Sequence, residues 1–316
     1  MENITPCRIE SATTLFGQPY VSEGSVQAQI DLLKSLYAMA MMVEARDAYT
    51  GGHLWRVSRF AGLLAEDLGL PVAEVRKIML GGFLHDLGKV GVPDAILNKR
   101  DRLSDEEYAI IKTHPRVGAD LLAEHPLAAL AMEAVLMHHE TPDGRGYPAG
   151  LRGEDIPQTA RIVGLADAYD AMTSSRPYRA GMPEARALDI IGEHLGSQFD
   201  AALGERFIAL GRAGRLSHIV GHSEPGIPVQ RCPSCGPTMA VSRRKRDGDL
   251  LYCPSCSGEF RLHRQPGGLA VTPTGRQDAA EAARPLVDHD LIADLTAEAG
   301  LLLAEGTPRW WRQVFA

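Results

Sequence analysis

The sequence predicts a mainly α-helical protein: an all-α domain over the first two-thirds of the chain, then a small β module and a last helix. Three observations carry that expectation. Apolar residues recur at three- and four-residue steps from Val26 onward, through Ile30, Leu33, Tyr37 and Met41, and again at Val57, Phe60, Ala61, Leu64 and Leu68; this spacing lines one face of a helix. Strand signals are nearly absent before residue 215. Beyond it, two Cys-x-x-Cys pairs bracket a short, turn-rich segment.

Residues 1–25 lack sustained periodicity and read as a poorly ordered leader. The helical domain is assigned to 26–214. Within it, Ser104-Asp-Glu-Glu107 is a capping box that starts a helix carrying Tyr108, Ile111 and His114. Further helices are predicted at roughly 72–87, 127–140, 156–174, 183–195 and 201–211, with Gly and Pro between them. A Gly- and Pro-containing linker is expected at 215–228 and the β module at 229–264, where "MAVSRRKRDGDLLYC" reads as a hairpin around Asp247-Gly248. The tail, 265–316, combines a flexible stretch with an amphipathic helix in "DHDLIADLTAEAGLLLAEG", and Trp310 and Trp311 are expected to anchor it.

At 316 residues, with 45% hydrophobic and 23% charged residues and a net charge of -7, the chain suits one dominant domain with small appended modules and gives no sign of a general nucleic-acid binder. The N-terminus lacks a secretory pattern, and the longest helical apolar stretch, Leu36 to Val43, is too short for a bilayer. A cytoplasmic protein with no membrane contact is expected.

Chemistry-bearing residues stand out at His53, His85-Asp86, His114, His138-His139 and Asp167, each on or at the end of an expected helix. Facing helices of a bundle can aim such groups at one point, as in dinuclear carboxylate proteins. A lone histidine is more often structural, and His125, His194, His218, His222, His263 and His289 are read that way. For the adjacent pairs that reading is weaker, because burying neighbouring ionisable groups costs several kcal/mol unless something compensates them. Metal coordination compensates them, and imidazole with carboxylate accepts iron, manganese, zinc or nickel.

"GGHLWRVSRFA", "FLHDLGKVGVPDAILNK", "IIKTHPRVGADLL", "HHETPDGRGYPAGL" and "ADAYDAMTSSRPYR" follow in order between about Ala45 and Phe207. The set resembles the signature blocks of the HD-GYP family, a branch of the HD metal-dependent phosphohydrolases. The resemblance implies an HD-type helical bundle and a metal-dependent phosphodiesterase that opens a cyclic dinucleotide, most often cyclic di-GMP, with cyclic GMP-AMP as a related substrate. It implies that His53, His85, Asp86 and Asp167 hold one metal and that Asp86 bridges to a second held by His114, His138 and His139. The two ions are expected to be divalent iron, manganese or nickel. Asp86 and Lys89 would be catalytic, with Lys89 at the scissile phosphate, and Tyr147, Arg176 and Arg179 would contact substrate. Asp47, Asp143 and Asp170 are either orienters of the histidines or turn and cap residues. Tyr49 stands where some members carry an acidic ligand for a third metal, so two metals are expected. Two alternatives stay open: a regulatory module that binds the cyclic dinucleotide without cleaving it, and another HD-type phosphohydrolase of nucleotides. A homodimer is compatible with the sequence.

Cys232-Pro-Ser-Cys235 and Cys253-Pro-Ser-Cys256 are separated by 17 residues, the spacing of a four-thiolate zinc site. A zinc ribbon held by one structural zinc is expected there, signalling through a partner in the binding-module alternative; a redox pair is the weaker reading. Arg243-Arg-Lys-Arg246 would give the ribbon a basic patch for nucleic acid or an acidic protein.

Overall fold

The computed structural model describes residues 23–47, 51–99, 101–174, 181–236, 238–266, 268–284 and 287–304. Its helical body runs through α1 (Glu23–Glu44), α2 (His53–Asp67), α3 (Val72–Leu84), α4 (Asp94–Leu97), α5 (Asp105–Ile111), α6 (His114–Leu122), α7 (Met132–Met137), α8 (Gln158–Thr173), α9 (Glu184–Glu193) and α10 (Ala201–Arg212). The expected apolar stripes face inward: Leu33, Leu36, Val57, Phe60, Ala61 and Leu64 are wholly buried. Phe60, Tyr169 and Phe207, from α2, α8 and α10, meet edge to face with centroids 5.1 to 6.4 Å apart. Burying each such ring stabilises the fold by about 1.5–3 kcal/mol. This cluster fixes α2 and α8, which carry His53 and Asp167, against each other.

Two boundaries differ from the sequence expectation. α3 ends at Leu84, and Leu87–Gly91 forms a 3₁₀ turn. The capping box does start α5, with Glu107 N–H donating to Ser104 Oγ, but His114 opens a separate helix, α6, because Pro115 lacks the N–H that a continuing helix would need. The 3₁₀ turn and α6 touch at Gly88, where a β-carbon would lie 1.8 Å from the His114 carbonyl oxygen. That contact sets the distance between Asp86 and His114.

After α10 the chain turns to β structure: β1 (His222–Glu224) pairs with β2 (Ile227–Pro228), β3 (Gln230–Arg231) with β4 (Thr238–Met239), and β5 (Leu250–Tyr252), β6 (Gly258–Gln265) and β7 (Gly268–Gln277) form one antiparallel sheet. Then follow α11 (Ala279–Ala282) and α12 (His289–Ala304). Several expectations are corrected here. Asp247-Gly248 is not the tip of a hairpin, because β4 pairs with β3 and β5 with β6; the turns that reverse the sheet are Cys253–Ser257 and the Gln265–Gly268 connection. The β module extends past Arg264, since β7, an edge strand that tolerates Pro273, completes its sheet. The 215–228 segment is not a loose linker: it contains β1 and β2, and Ser223 and Glu224 are buried.

Two arginines of the Arg243–Arg246 run are paired within the chain. Arg243 pairs with Glu224 at 2.5 Å and with Asp294 at 2.7 Å, Arg244 pairs with Asp290, and Lys245 Nζ donates to the Leu250 carbonyl. The acids on α12 absorb the charge, while the opposite face of α12 packs on α1 and α3 through Leu291, Ile292, Leu295 and Ala299. Among the described residues, no helix is long and apolar enough to cross a membrane. Trp310 and Trp311 lie outside the described residues.

Gly88→Ala is expected to destabilise the chain by about 1–3 kcal/mol through overpacking. The shift should appear in urea unfolding, and an unchanged midpoint would refute the assigned close approach.

Candidate metal centre

Helix ends deliver most of the centre. His53 is the first residue of α2, His85 follows the last residue of α3, His114 opens α6, His138 follows α7, and only Asp167 sits within a helix, α8. The structure brings all seven expected residues together. Asp86 lies between two groups: its Oδ2 is 3.5 Å from His53 Nε2 and 3.3 Å from His85 Nε2, while its Oδ1 is 3.4 Å from His114 Nε2. Asp167 Oδ1 is 3.4 Å from His53 Nε2 and 3.8 Å from His85 Nε2. His114, His138 and His139 form the second group, with His114 and His138 Nε2 atoms 3.3 Å apart.

The opposite ring nitrogens fix the tautomers. His85 Nδ1–H donates to the Gly82 carbonyl, His114 Nδ1–H to Ile111 and His138 Nδ1–H to Ala134, each at 2.8 Å, and His53 Nδ1–H donates to Asp170 at 2.7 Å. A carbonyl only accepts, so in His85, His114 and His138 the proton sits on Nδ1 and Nε2 presents a lone pair inward. The buried His85 Nε2 has no hydrogen-bond partner among the described residues. Lone pairs that face each other at 3.3 Å, together with an orphaned one, are costly unless a cation sits between them.

The electrostatics divide accordingly. Burial drives the His114 and His138 pKa down, and brings His139 to about 4, so this end rejects protons at neutral pH. At the other end, burial also lowers His53, but hydrogen bonds to Asp170 and Asp86 and the charges of Asp170 and Asp167 outweigh it and lift the pKa to about 10. Burial pushes Asp86 up, yet Lys89 and His85 more than cancel that and hold it well below the carboxylate range. This carboxylate-rich end attracts a cation.

Around this centre, Lys89 Nζ lies 2.8 Å from Asp86 and 3.4 Å from Asp47. Asp47 in turn lines a cleft of about 880 Å³ bounded by the end of α1, Asn98 and the β module. Tyr147 stacks on His139 with centroids 4.7 Å apart, so it supports that ring as well as walling the site. Asp170 orients His53, whereas Asp143 is a turn residue that accepts from Thr141 Oγ1 and Arg145 N–H. Arg176 and Arg179 lie outside the described residues, as does Tyr49.

Two participants were not singled out from sequence. Arg56, 3% exposed, donates to both oxygens of Asp170. Glu140, also buried, accepts from the backbone N–H groups of Ala149, Gly150 and Leu151 and so closes the Gly-rich loop. Their positions offered signals: Arg56 lies about one helical turn after His53, and Glu140 directly follows the histidine pair.

A second candidate site lies in the β module. Four sulfur atoms, of Cys232, Cys235, Cys253 and Cys256, lie within 4.8 Å of one another, with Cys235–Cys253, Cys232–Cys235 and Cys232–Cys256 at 3.5, 3.6 and 3.7 Å. Those separations are far beyond a disulfide bond of about 2.05 Å.

A family model of the HD domain matches residues 37–203. The chain belongs to the HD domain family. It is 40% identical over 191 residues to a protein of Vibrio cholerae named cyclic di-GMP phosphodiesterase, covering 56% of this chain and 39% of that one. It is 40% identical over 201 residues to the cyclic di-GMP phosphodiesterase response regulator RpfG of Xanthomonas campestris, covering 61% and 53%. It is 38% identical over 180 residues to the 3'3'-cGAMP-specific phosphodiesterase 3 of Vibrio cholerae, covering 57% and 38%. The chain thus spans between about two-fifths and one-half of the length of these relatives.

Burial raises the Asp170 carboxyl, but the charge of Arg56 and the hydrogen bond from His53 hold it far below the usual range. With the folded pKa below the unfolded one, the stability it contributes is full above about pH 4 and is lost as pH falls further. Asp170→Asn should therefore cost about 3–5 kcal/mol at pH 7, by leaving Arg56 buried without its counter-charge. Denaturant curves at pH 7 and pH 3 should show the gap between variant and parent narrowing in acid; a constant gap would contradict the assignment.

Proposed function

We propose that residues 26–214 form a metal-dependent phosphodiesterase domain that hydrolyses a cyclic dinucleotide, with cyclic di-GMP as the first substrate. One observation carries the reading: Asp86 turns one oxygen to His53 and His85 and the other to His114, the arrangement of a carboxylate shared by two cations. His53, His85, Asp86 and Asp167 would hold one ion, and Asp86, His114, His138 and His139 the other. Orphaned, inward-facing Nε2 lone pairs fit that role. Divalent iron, manganese or nickel bound there would neutralise phosphodiester charge and supply water that ionises near neutral pH.

The chain's own residues provide the rest. Lys89, beside Asp86 and reaching toward Asp47 at the edge of the cleft, places a cation where the negative charge of the phosphate grows. Asp170 and the backbone carbonyls hold the imidazoles in one tautomer, so no reorganisation is needed as the phosphate arrives. Glu140 fixes the Gly-rich loop, whose Tyr147 presents one side of the wall on which a base can lie. Arg176 and Arg179 are proposed as further phosphate or base contacts. Relatives named for cyclic di-GMP and for 3'3'-cGAMP support the substrate class and leave cyclic GMP-AMP as the second candidate.

For the β module we propose one structural zinc. A tetrahedron of thiolates at a Zn–S distance of about 2.3 Å has edges near 3.8 Å, and the sulfur separations fit it. Reduced thiolates suit a cytoplasmic setting.

Anaerobically purified chain should contain two divalent ions beyond zinc and convert cyclic di-GMP or cyclic GMP-AMP to linear products on chromatography. His85→Ala with Asp86→Ala should lose those ions and lower turnover by at least about a thousandfold, roughly 4 kcal/mol of barrier. Wild-type protein that holds the ions and binds the dinucleotide intact would favour the regulatory reading, and turnover confined to mononucleotides would favour another phosphohydrolase.

A further inference from the structure

We infer that the thiolate module regulates the metal centre, because β1 and Arg56 tie it to the His53 end. The inference rests on the proposed dinuclear reading and extends it to a part of the chain outside the helical body. α2 begins against β1: Gly52, at φ 75°, would place a β-carbon 2.4 Å from the Ser223 Cα, so the two backbones touch. Arg56 Nη1 donates to the His222 carbonyl at 2.8 Å and to the Gly51 carbonyl at 3.0 Å, while Nε and Nη2 hold Asp170. Asp170 in turn fixes His53 Nδ1. One buried guanidinium thus connects a carbonyl of β1 to the ring of a candidate ligand.

β1 is itself held by the module. Its partner strand β2 lays Ile227 on the cluster of Val241, Leu251 and Leu262, and Glu224 of β1 accepts from the Arg243 backbone and side chain. Val271 joins that cluster to the one formed by Met239, Phe260 and the cysteines. These clusters are too small to fold without a central cross-link, so an ion at the four thiolates organises them. The Arg243–Asp294 and Arg244–Asp290 pairs are largely solvent-exposed and cannot replace it. Zinc occupancy of the module therefore sets how firmly His53 is aimed.

The test is a double-mutant cycle in the full chain, using Cys256→Ser to break the thiolate set and Arg56→Lys to keep the charge beside Asp170 while losing the forked reach to His222. The probe is manganese, read by retention against a competing chelator and by electron paramagnetic resonance of the coupled ion pair. Each single variant should weaken one of the two ions by about tenfold or more, as loss of a supporting hydrogen bond does, leaving an uncoupled spin. The double variant should be no worse than Arg56→Lys alone. Additive losses, or full retention in Cys256→Ser, would overturn the inference. Failure of the dinuclear reading is distinguishable, because the parent chain itself would then hold no pair. In that event hydrogen exchange of the Arg56 amide, bonded to the Gly52 carbonyl, decides: faster exchange in Cys256→Ser supports the link, and unchanged exchange sinks it.

Discussion

The hydrogen bonds at the outer ring nitrogens govern this structure. Imidazole can ligate through either nitrogen, and only a fixed acceptor behind the ring decides which one faces the centre. Gly82, Ile111 and Ala134 supply that acceptor from a backbone carbonyl three or four residues upstream, at helix ends where carbonyls and side chains lie close together. His53, at the start of α2, is held differently. Its Nδ1 bonds Asp170 from α8, and Asp170 accepts from Arg56.

That difference makes the two ends of the centre unequal. The His114, His138 and His139 end is built from local bonds within or beside short helices, and it stays intact as long as those helices do. The His53 end is built from contacts separated by more than a hundred residues, including a buried ion pair. Removing either member of such a pair is far more costly than the pair is worth, since the other charge is left in the interior. The edge-to-face cluster of Phe60, Tyr169 and Phe207 supports this arrangement by locking α2 to α8 beneath it. Stability of the core and geometry of the centre therefore share the same two helices.

Much of this was legible in the sequence. Helical periodicity located the helices, and the structure brings the seven ligand candidates together from motifs that stand at helix ends, Asp167 within α8 excepted. Roles that depend on a partner far along the chain were not legible. Asp170 and Asp143 look alike as aspartates near motif glycines or alanines, yet one orients His53 across 117 residues and the other closes a local turn. Arg56 stands in the sequence as a charge within a helix. Its function arises only when α8 and β1 arrive at the same side of α2, and periodicity within α2 carries no record of either.

The basic run at 243–246 shows the same limit with charge in place of hydrogen bonds. Four cations in a row have a net field in the extended chain, and the field invites a search for an external anion. Folding places α12 alongside, and Asp290 and Asp294, together with Glu224, answer two of the four charges, those of Arg243 and Arg244, from within. The exposed pairs contribute little energy singly, about 0–1 kcal/mol each; their consequence is register. They align α12, which is packed by its apolar face on α1 and α3, with the segment that leads from β4 to β5. A module with a small core is thereby held at a defined place on the helical body, where β1 can meet α2 and a single arginine can span the junction.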